Sequence, residues 1–373
     1  MSLFDPIRLR GLALANRIVV SPMCQYSARD GCATDWHLVH WAQMMMSGAS
    51  MFTVEATAVT PEGRISPADL GLYDDACEEA IGRTLSHARK VCPPIAVAMQ
   101  LAHAGRKAST RPPWEDGTPI LPDEGGWTPI APSAISHAAG HPPPIALDEA
   151  GLAHVRDAFA NSAKRAARAS VDALELHMAH GYLMHEFLSP IANRRTDRYG
   201  GDFESRIRFP LEVFDAVRDA WPGDRPLGVR LSCTDWVDGG WTIEESIEFA
   251  RRLVTHGVDW VDASSGGVSP HQKIPLGSGY QVGFAGAIRR ASGATMIAVG
   301  LITQAAQAAT ILAAGDADMI AMARAFLWDP RWAWHAAAEL GASMVIPPQY
   351  LRSVPRHASE AFRGAKIAER RLA

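Results

Sequence analysis

The 373-residue sequence has few cysteines, five in all, at 24, 32, 77, 92 and 233, and no C-x-x-C pair. Zinc knuckles and cysteine-ligated iron–sulfur clusters need closely spaced thiolates, so neither is expected. The odd number and wide spacing of the cysteines fit a reducing compartment, and a cytoplasmic location is expected. The N-terminus, Met1 to Pro6, lacks the basic start and apolar run of a secretory signal. There is no excess of positive charge: 36 Lys and Arg against 40 Asp and Glu leave −4. A nucleic-acid or anionic-membrane binder would need a basic face, so neither partner is expected. The 25 residues from Ala291 to Gly315 carry no charge, a length that can span a bilayer. They include Gly293, Gly300, Thr303, Gln304 and Gln307, and the second half is mostly alanine. The stretch reads better as a buried strand, a turn at Gly300 and an Ala-rich helix capped by Thr303.

What the sequence does have is core-forming material: 47% hydrophobic and 20% charged residues, which excludes a disordered or fibrous chain. Eight short runs are nearly all apolar inside: Arg17–Met23, Met51–Val59, Ile95–Ala102, Val171–Met178, Pro226–Ser232, Trp260–Ser265, Thr295–Leu301 and Met319–Ala323. That pattern belongs to parallel strands covered on both faces. Helix-like segments lie between most of them, such as Leu147–Ala169, Glu204–Trp221, Thr242–His256 and Gln304–Ala314. Asp148 and Thr242 read as N-caps, and Thr242 with Glu245 forms a capping box. Eight strand–helix units in this length predict an α/β fold, a (β/α)8 TIM barrel, as a single domain over residues 1–373. A doubly wound sheet would bring fewer strands and a glycine fingerprint after the first.

Residues 107–146 break the rhythm. They are rich in Pro, Gly, Trp and His, without apolar period, and too long for a plain βα loop. The insertion follows the third strand at the end where barrel active sites form, so we read it as a lid. Trp114 and Trp127 give it something to pack.

Catalytic groups of a barrel follow its strands. After the first come Pro22, Met23, Cys24 and Tyr26; after the second, Glu55, Ala56 and Thr57; around the end of the third, Gln100 and His103; around the end of the fourth, His177, His180 and Tyr182. The fifth carries Arg230, the seventh ends at Gly300 and the eighth at Ala323 and Arg324. His177 and His180 can aim two imidazoles at one oxygen, with Tyr182 as a weak acid beside them. Ordinary structural histidines are an alternative of the same weight; zinc ligation together with His185 is a weaker one, because H-E-x-x-H is absent, with Ser189 in the second His position, and no carboxylate has zinc-binding spacing to the pair. Cys24 can be reactive or an inert core thiol. Arg230 either forms an internal salt bridge or faces a ligand that becomes anionic. Gly300, Ala323 and Arg324 stand where barrels bind phosphate through backbone N–H groups.

The stretch Glu175 to Pro190, continued by Asn193 to Gly201 and Arg206 to Phe209, strongly resembles the Old Yellow Enzyme family of FMN-dependent ene-reductases. So do Asn16-Arg17, Pro22 to Tyr26, Val54 to Val59 and Gln100 to Lys107. The resemblance runs from Leu3 to about Arg352, and Cys24 after Pro22-Met23 looks like the bacterial xenobiotic-reductase and thermostable ene-reductase subclass. It implies FMN at the C-terminal mouth of the barrel. Pro22, Met23, Cys24 and Ala56 would line the flavin, Gln100 its pyrimidine edge, Arg230 its N1 and O2, and Gly300, Ala323 and Arg324 its phosphate. His177 and His180 would grip the oxygen of an activated alkene, Tyr182 would donate the proton, and Tyr26 would be a second substrate contact. NADPH or NADH would supply hydride in a first half-reaction, and an α,β-unsaturated carbonyl or nitro compound would take it in the second.

Two departures from the subclass stand out. Val299 precedes Gly300 where some members carry Trp, which implies a wider pocket. Gln349 to Arg352 resembles the segment whose Arg enters a neighbouring subunit's site, but Ser353 and Val354 follow in place of Trp. A homodimer or homotetramer, with residues from about 345 to 373 as a C-terminal extension and Arg352 at the partner's substrate site, is therefore expected. The alternatives are another FMN barrel, such as a dihydroorotate dehydrogenase or dihydrouridine synthase, or a flavin-binding redox sensor using Cys24. The His177, His180 and Tyr182 cluster disfavours a dihydroorotate dehydrogenase and the sensor, and the net charge of −4 disfavours a dihydrouridine synthase, which needs a basic RNA-binding surface.

Overall fold

The computed structural model describes residues 1–362. Eight parallel strands close into a barrel: β1 Ile18–Val20, β2 Met51–Ala58, β3 Ala96–Ala102, β4 Ala173–Met178, β5 Leu227–Ser232, β6 Trp260–Ser264, β7 Met296–Ala298 and β8 Met319–Met322. Each neighbours the next, and β8 returns to β1. This is the (β/α)8 TIM barrel, and every strand falls within one of the eight apolar runs.

The helices outside follow their caps. Asp148 accepts a hydrogen bond from the N–H of Gly151 and starts helix Glu149–Arg168. Thr242 and Glu245 exchange capping-box bonds at the start of Ile243–Thr255, whose buried stripe is Ser246, Phe249, Ala250 and Leu253. Thr303 is not the cap of the next helix. Helix Ala305–Ala314 starts one residue later than that reading requires, with Gln304 at its N-cap. The Thr303 backbone is occupied elsewhere: its carbonyl accepts from Trp332 Nε1 at 2.8 Å. None of the described helices is long and apolar enough to cross a membrane.

The N-terminal end of the barrel is closed by a hairpin, Ile7–Leu9 paired with Leu12–Leu14. Leu9 and Leu14 pack with Val19, Met51, Ala96, Ala98 and Trp260, which turns the barrel floor into a sealed apolar layer. Trp260 fits only because β5 has Gly228 opposite it; a Cβ there would stand 1.9 Å from the indole.

Glu55, Ala56 and Thr57 lie inside β2 rather than after it, and the β2–β3 register shifts between Val54 and Thr57. The bulge puts Ala56 at the edge of the mouth without ending the strand. Residues 107–146 hold short 3-10 turns and one parallel pair, Ile130–Ala131 with Ile145–Ala146. Trp127 Nε1 ties the segment to the carbonyl of Glu62, and Ser109 Oγ donates to the carbonyl of Ile120. Beyond residue 345 come 3-10 turns Pro348–Ser353 and Arg356–Ala358 and helix Ser359–Phe362. The last part of the expected extension, 363–373, lies outside the described residues.

Candidate active site

Inside the barrel, above the apolar floor, polar side chains replace apolar ones. Gln100 Nε2 on β3 donates to Glu175 Oε1 on β4 at 2.8 Å, and Trp260 Nε1 donates to Glu175 Oε2. Burial and the neighbouring Asp262 push the Glu175 carboxyl up, against the pull of Arg230. Arg230 on β5 pairs in register with His177 on one side and Asp262 on the other. Its Nε lies 3.2 Å from Asp262 Oδ2, without hydrogen-bond alignment, so Arg230 Nε and Asp262 Oδ1 remain unpartnered. The ion-pair reading of Arg230 therefore holds, and its unpartnered Nε belongs to a residue that also lines the cavity at the mouth.

His177 is buried at the end of β4 and its Nδ1 accepts from the N–H of Ala179 at 3.3 Å. The proton of the neutral ring is then on Nε2. His180 has φ of 61°. Its N–H donates to Ser232 Oγ, and its Nε2 shares a 2.6 Å hydrogen bond with Ser264 Oγ. The two rings meet edge to face at 5.0 Å, and the Tyr182 ring lies 5.0 Å from His177. Burial first, then the positive charges of Arg230 and Lys107, hold both imidazoles well below the usual histidine range, so both are neutral at pH 7. Burial pushes the Tyr182 phenol well up, helped by Cys24, Tyr26 and Asp69. It stays protonated. His185 is turned away from this group: Nδ1 accepts from Gly181 and Nε2 bonds Asp235 at 2.8 Å. Among the described residues no set of His, Cys, Asp and Glu is placed to hold a metal ion.

Pro22, Met23, Cys24 and Tyr26 form a half-buried rim after β1. Tyr26 takes a left-handed backbone, φ 47°, and its ring meets Trp114 of the 107–146 segment edge-on at 5.5 Å. Burial raises the Cys24 thiol well above its ordinary value, and Asp69 and Glu55 add to this. A thiol so placed is not a ready nucleophile.

His180, Arg230, Ser264, Gly300, Ala323 and Arg324 open on one cavity of about 200 Å³. Gly300 has φ of 123°, and a Cβ there would come within 2.9 Å of Gln281 Nε2. Arg324 is exposed at the start of helix Arg324–Trp328. A first helical turn, a guanidinium and a close backbone approach suit a phosphate. With the unpartnered Arg230 Nε and the unpartnered Ser21 Oγ directly after β1, the residues fit a phosphorylated, electron-accepting ring such as FMN.

Arg352 is not among the residues that line this cavity. It is exposed on the turn Pro348–Ser353, and the strand of chain before it packs Met344 against Gly48, just ahead of β2. Sequence reasoning did not single out Lys107, Ser264, Ser232, Glu175 or Asp262 as site residues. For Lys107 the signal was present, since it closes the Gln100–Lys107 motif. The serines carry no local mark.

A model of the NADH:flavin oxidoreductase / NADH oxidase family matches residues 2–342. The chain is 43% identical over 356 residues to an NADPH dehydrogenase of Geobacillus thermodenitrificans, covering 94% of this chain and 98% of that one. It is 41% identical over 360 residues to an NADPH dehydrogenase of Listeria monocytogenes, with the same coverage of 94% and 98%. Among solved structures, morphinone reductase superposes with a TM-score of 0.76 at 27% identity, over 98% of this chain and 94% of that one. An old yellow enzyme homologue from Zymomonas mobilis superposes at 0.73 with 24% identity, over 93% and 94% of the two chains, a likeness of fold.

Proposed function

The chain belongs to the NADH:flavin oxidoreductase / NADH oxidase family, an FMN- and nicotinamide-dependent class of oxidoreductase, and from that premise we propose that it is an ene-reductase. It reduces the activated C=C bond of α,β-unsaturated carbonyl or nitro compounds, in two half-reactions that share one site. The observation that carries this is the neutral triad of His177, His180 and Tyr182 at one mouth, with ring contacts of 5.0 Å.

When bound, FMN supplies the acceptance and release of hydride. Pro22, Met23, Cys24 and Ala56 would line it, Gln100 would bind its pyrimidine part, and Gly300, Ala323 and Arg324 would hold its phosphate. Arg230 would supply a fixed positive charge to stabilise the negative charge of the reduced group. His177 donates from Nε2. His180, whose Nε2 is engaged by Ser264, presents Nδ1. Together they hold the substrate oxygen and draw electron density from the β-carbon. Tyr182 then delivers its proton to the α-carbon; a phenol suits the task because it is protonated at neutral pH. Tyr26 is a second substrate contact. The 107–146 segment acts as a lid through Trp114, and Val299, which lines the cavity, leaves room beside it. Arg352, exposed and outside the lining of its own cavity, serves the site of a second copy, in a homodimer or homotetramer.

The test is anaerobic: enzyme reduced by NADPH should be reoxidised by members of a panel of enones, nitroalkenes, maleimides and nitrate esters. Reoxidation by oxygen alone, with no alkene turned over, ends this reading. A monomeric, fully active protein in dilute solution ends the role of Arg352.

A further inference from the structure

We propose that Lys107 is a positioning residue for proton delivery: its ammonium clamps the His180 turn to the loop after β6 and holds positive charge against the ring of Tyr182 while that phenol gives up its proton. The proposal rests on the reading of Tyr182 as the donor.

The geometry is specific. Lys107 follows β3, in the turn Gly105–Lys107. Its Nζ donates to the carbonyl of His180 at 2.9 Å and to the carbonyl of Gly267 at 3.3 Å. The same Nζ lies 4.9 Å from the centroid of the Tyr182 ring. An ammonium has three donors, and here two carbonyls and one aromatic face surround it. No carboxylate pairs with Lys107 among the described residues. The nearby acid, Glu186, instead accepts from the backbone N–H of Arg106 at 2.8 Å. A half-buried cation with no carboxylate in ion-pair contact costs stability; a residue needed only to tie two loops together would not have to be charged.

The clamp acts where the backbone is least tolerant. His180 has φ of 61°. A Cβ on Gly181 would stand 2.1 Å from the Gly267 carbonyl, and one on Gly267 would stand 2.4 Å from His180 backbone atoms. The loops after β4 and β6 touch main chain to main chain, and Lys107 bonds both at that seam. Charge is the second role. When Tyr182 reacts, its O–H bond breaks, a Cα–H bond forms, and negative charge remains on Oη until water returns a proton. Burial, Cys24, Tyr26 and Asp69 all oppose that charge. Lys107 is the cation against the ring. The groups that face Lys107 are Glu186, Arg106, His137, His141, His177 and His180, and burial lowers its own pKa to about 8.

The experiment is a double-mutant cycle on the FMN-loaded enzyme, reading reoxidation of the reduced form by cyclohexenone in stopped flow. Lys107→Met should slow this step about tenfold, equivalent to ~1.4 kcal/mol of barrier, and raise its solvent deuterium isotope effect. Added to Tyr182→Phe, the same change should produce little further slowing and no change in isotope effect. The wild-type rate should fall as the pH passes about 8, a limb missing from Lys107→Met. Should Lys107→Met load flavin poorly, Lys107→Gln carries the same expectations. Full multiplicative slowing in the double variant, or an unaltered isotope effect and pH limb, overturns the proposal and leaves Tyr182 as donor. If Tyr182→Phe alone does not slow reoxidation, the donor reading fails first and the proposal with it.

Discussion

His180 Nε2 stands 2.6 Å from Ser264 Oγ, across two strand ends of the barrel. That bond turns the imidazole so that Nδ1 is left for a ligand, whereas His177, whose Nδ1 accepts from Ala179, is left with Nε2. With the Ser264 hydroxyl donating to Nε2, the two neutral rings would offer protons from different nitrogens. The arrangement needs both to be uncharged, and burial between Arg230 and Lys107 provides that.

The first prediction follows from that pairing. A phenolate resembles the substrate oxygen, so replacing both His177 and His180 by Asn should weaken binding of a simple phenol. The loss should be about tenfold for each hydrogen bond to the charged ligand. Titration of the flavin absorption band with phenol measures it; unchanged affinity removes the two rings from oxygen binding.

Tyr182→Phe should slow alkene reduction by roughly 100-fold or more, the ordinary contribution of a positioned acid, while flavin reduction by NADPH stays near the wild-type rate. The half-reactions are measured separately in stopped flow. Equal losses in both would assign Tyr182 to binding rather than proton transfer.

Arg230 and Asp262 are buried neighbours 3.2 Å apart. Arg230→Met leaves the Asp262 carboxylate without its cation, and should cost about 3 kcal/mol in urea denaturation. Adding Asp262→Asn should recover much of that loss. If Arg230→Met is as stable as wild type, the ion pair is not what holds this layer together.

Glu186 is buried and its Oε2 has no partner. Burial lifts its carboxyl from 4.5 to about 8, although Arg106 and Lys107 pull it down. Because the folded state holds this proton more tightly than the unfolded chain does, its stabilising effect is full below pH 4.5 and is lost as the pH rises through about 8. Glu186→Gln should flatten the fall in denaturation midpoint between these limits. A wild-type midpoint that rises over the same range would show the opposite linkage.

Most of the scaffold was legible in the sequence. Strands such as Ala173–Met178 and Trp260–Ser264 are covered on both faces, so they announce themselves as apolar runs with a few polar residues. Asp148 and Thr242 gave helix starts because capping is local chemistry. The failures have physical causes. The floor hairpin at Ile7–Leu14 has strands of three residues, too short to show alternation. The bulge between Val54 and Thr57 is an offset against β3, which the sequence of β2 alone does not show. Thr303 has the composition of a cap but spends its backbone on Trp332 and Gln307. Ser264 and Ser232 matter only through what the closed barrel sets beside them, and no window of sequence contains both ends of such a contact.

The main-chain contact between Gly181 and Gly267 has a consequence for how this protein can change over time. Neither loop can gain a side chain or an extra residue at that point without displacing the other, so the two must be inherited as a unit. Diversity in what the enzyme accepts is therefore channelled to places where substitution moves no backbone, such as Val299 and the Trp114 segment, while the seam beneath the imidazoles stays fixed.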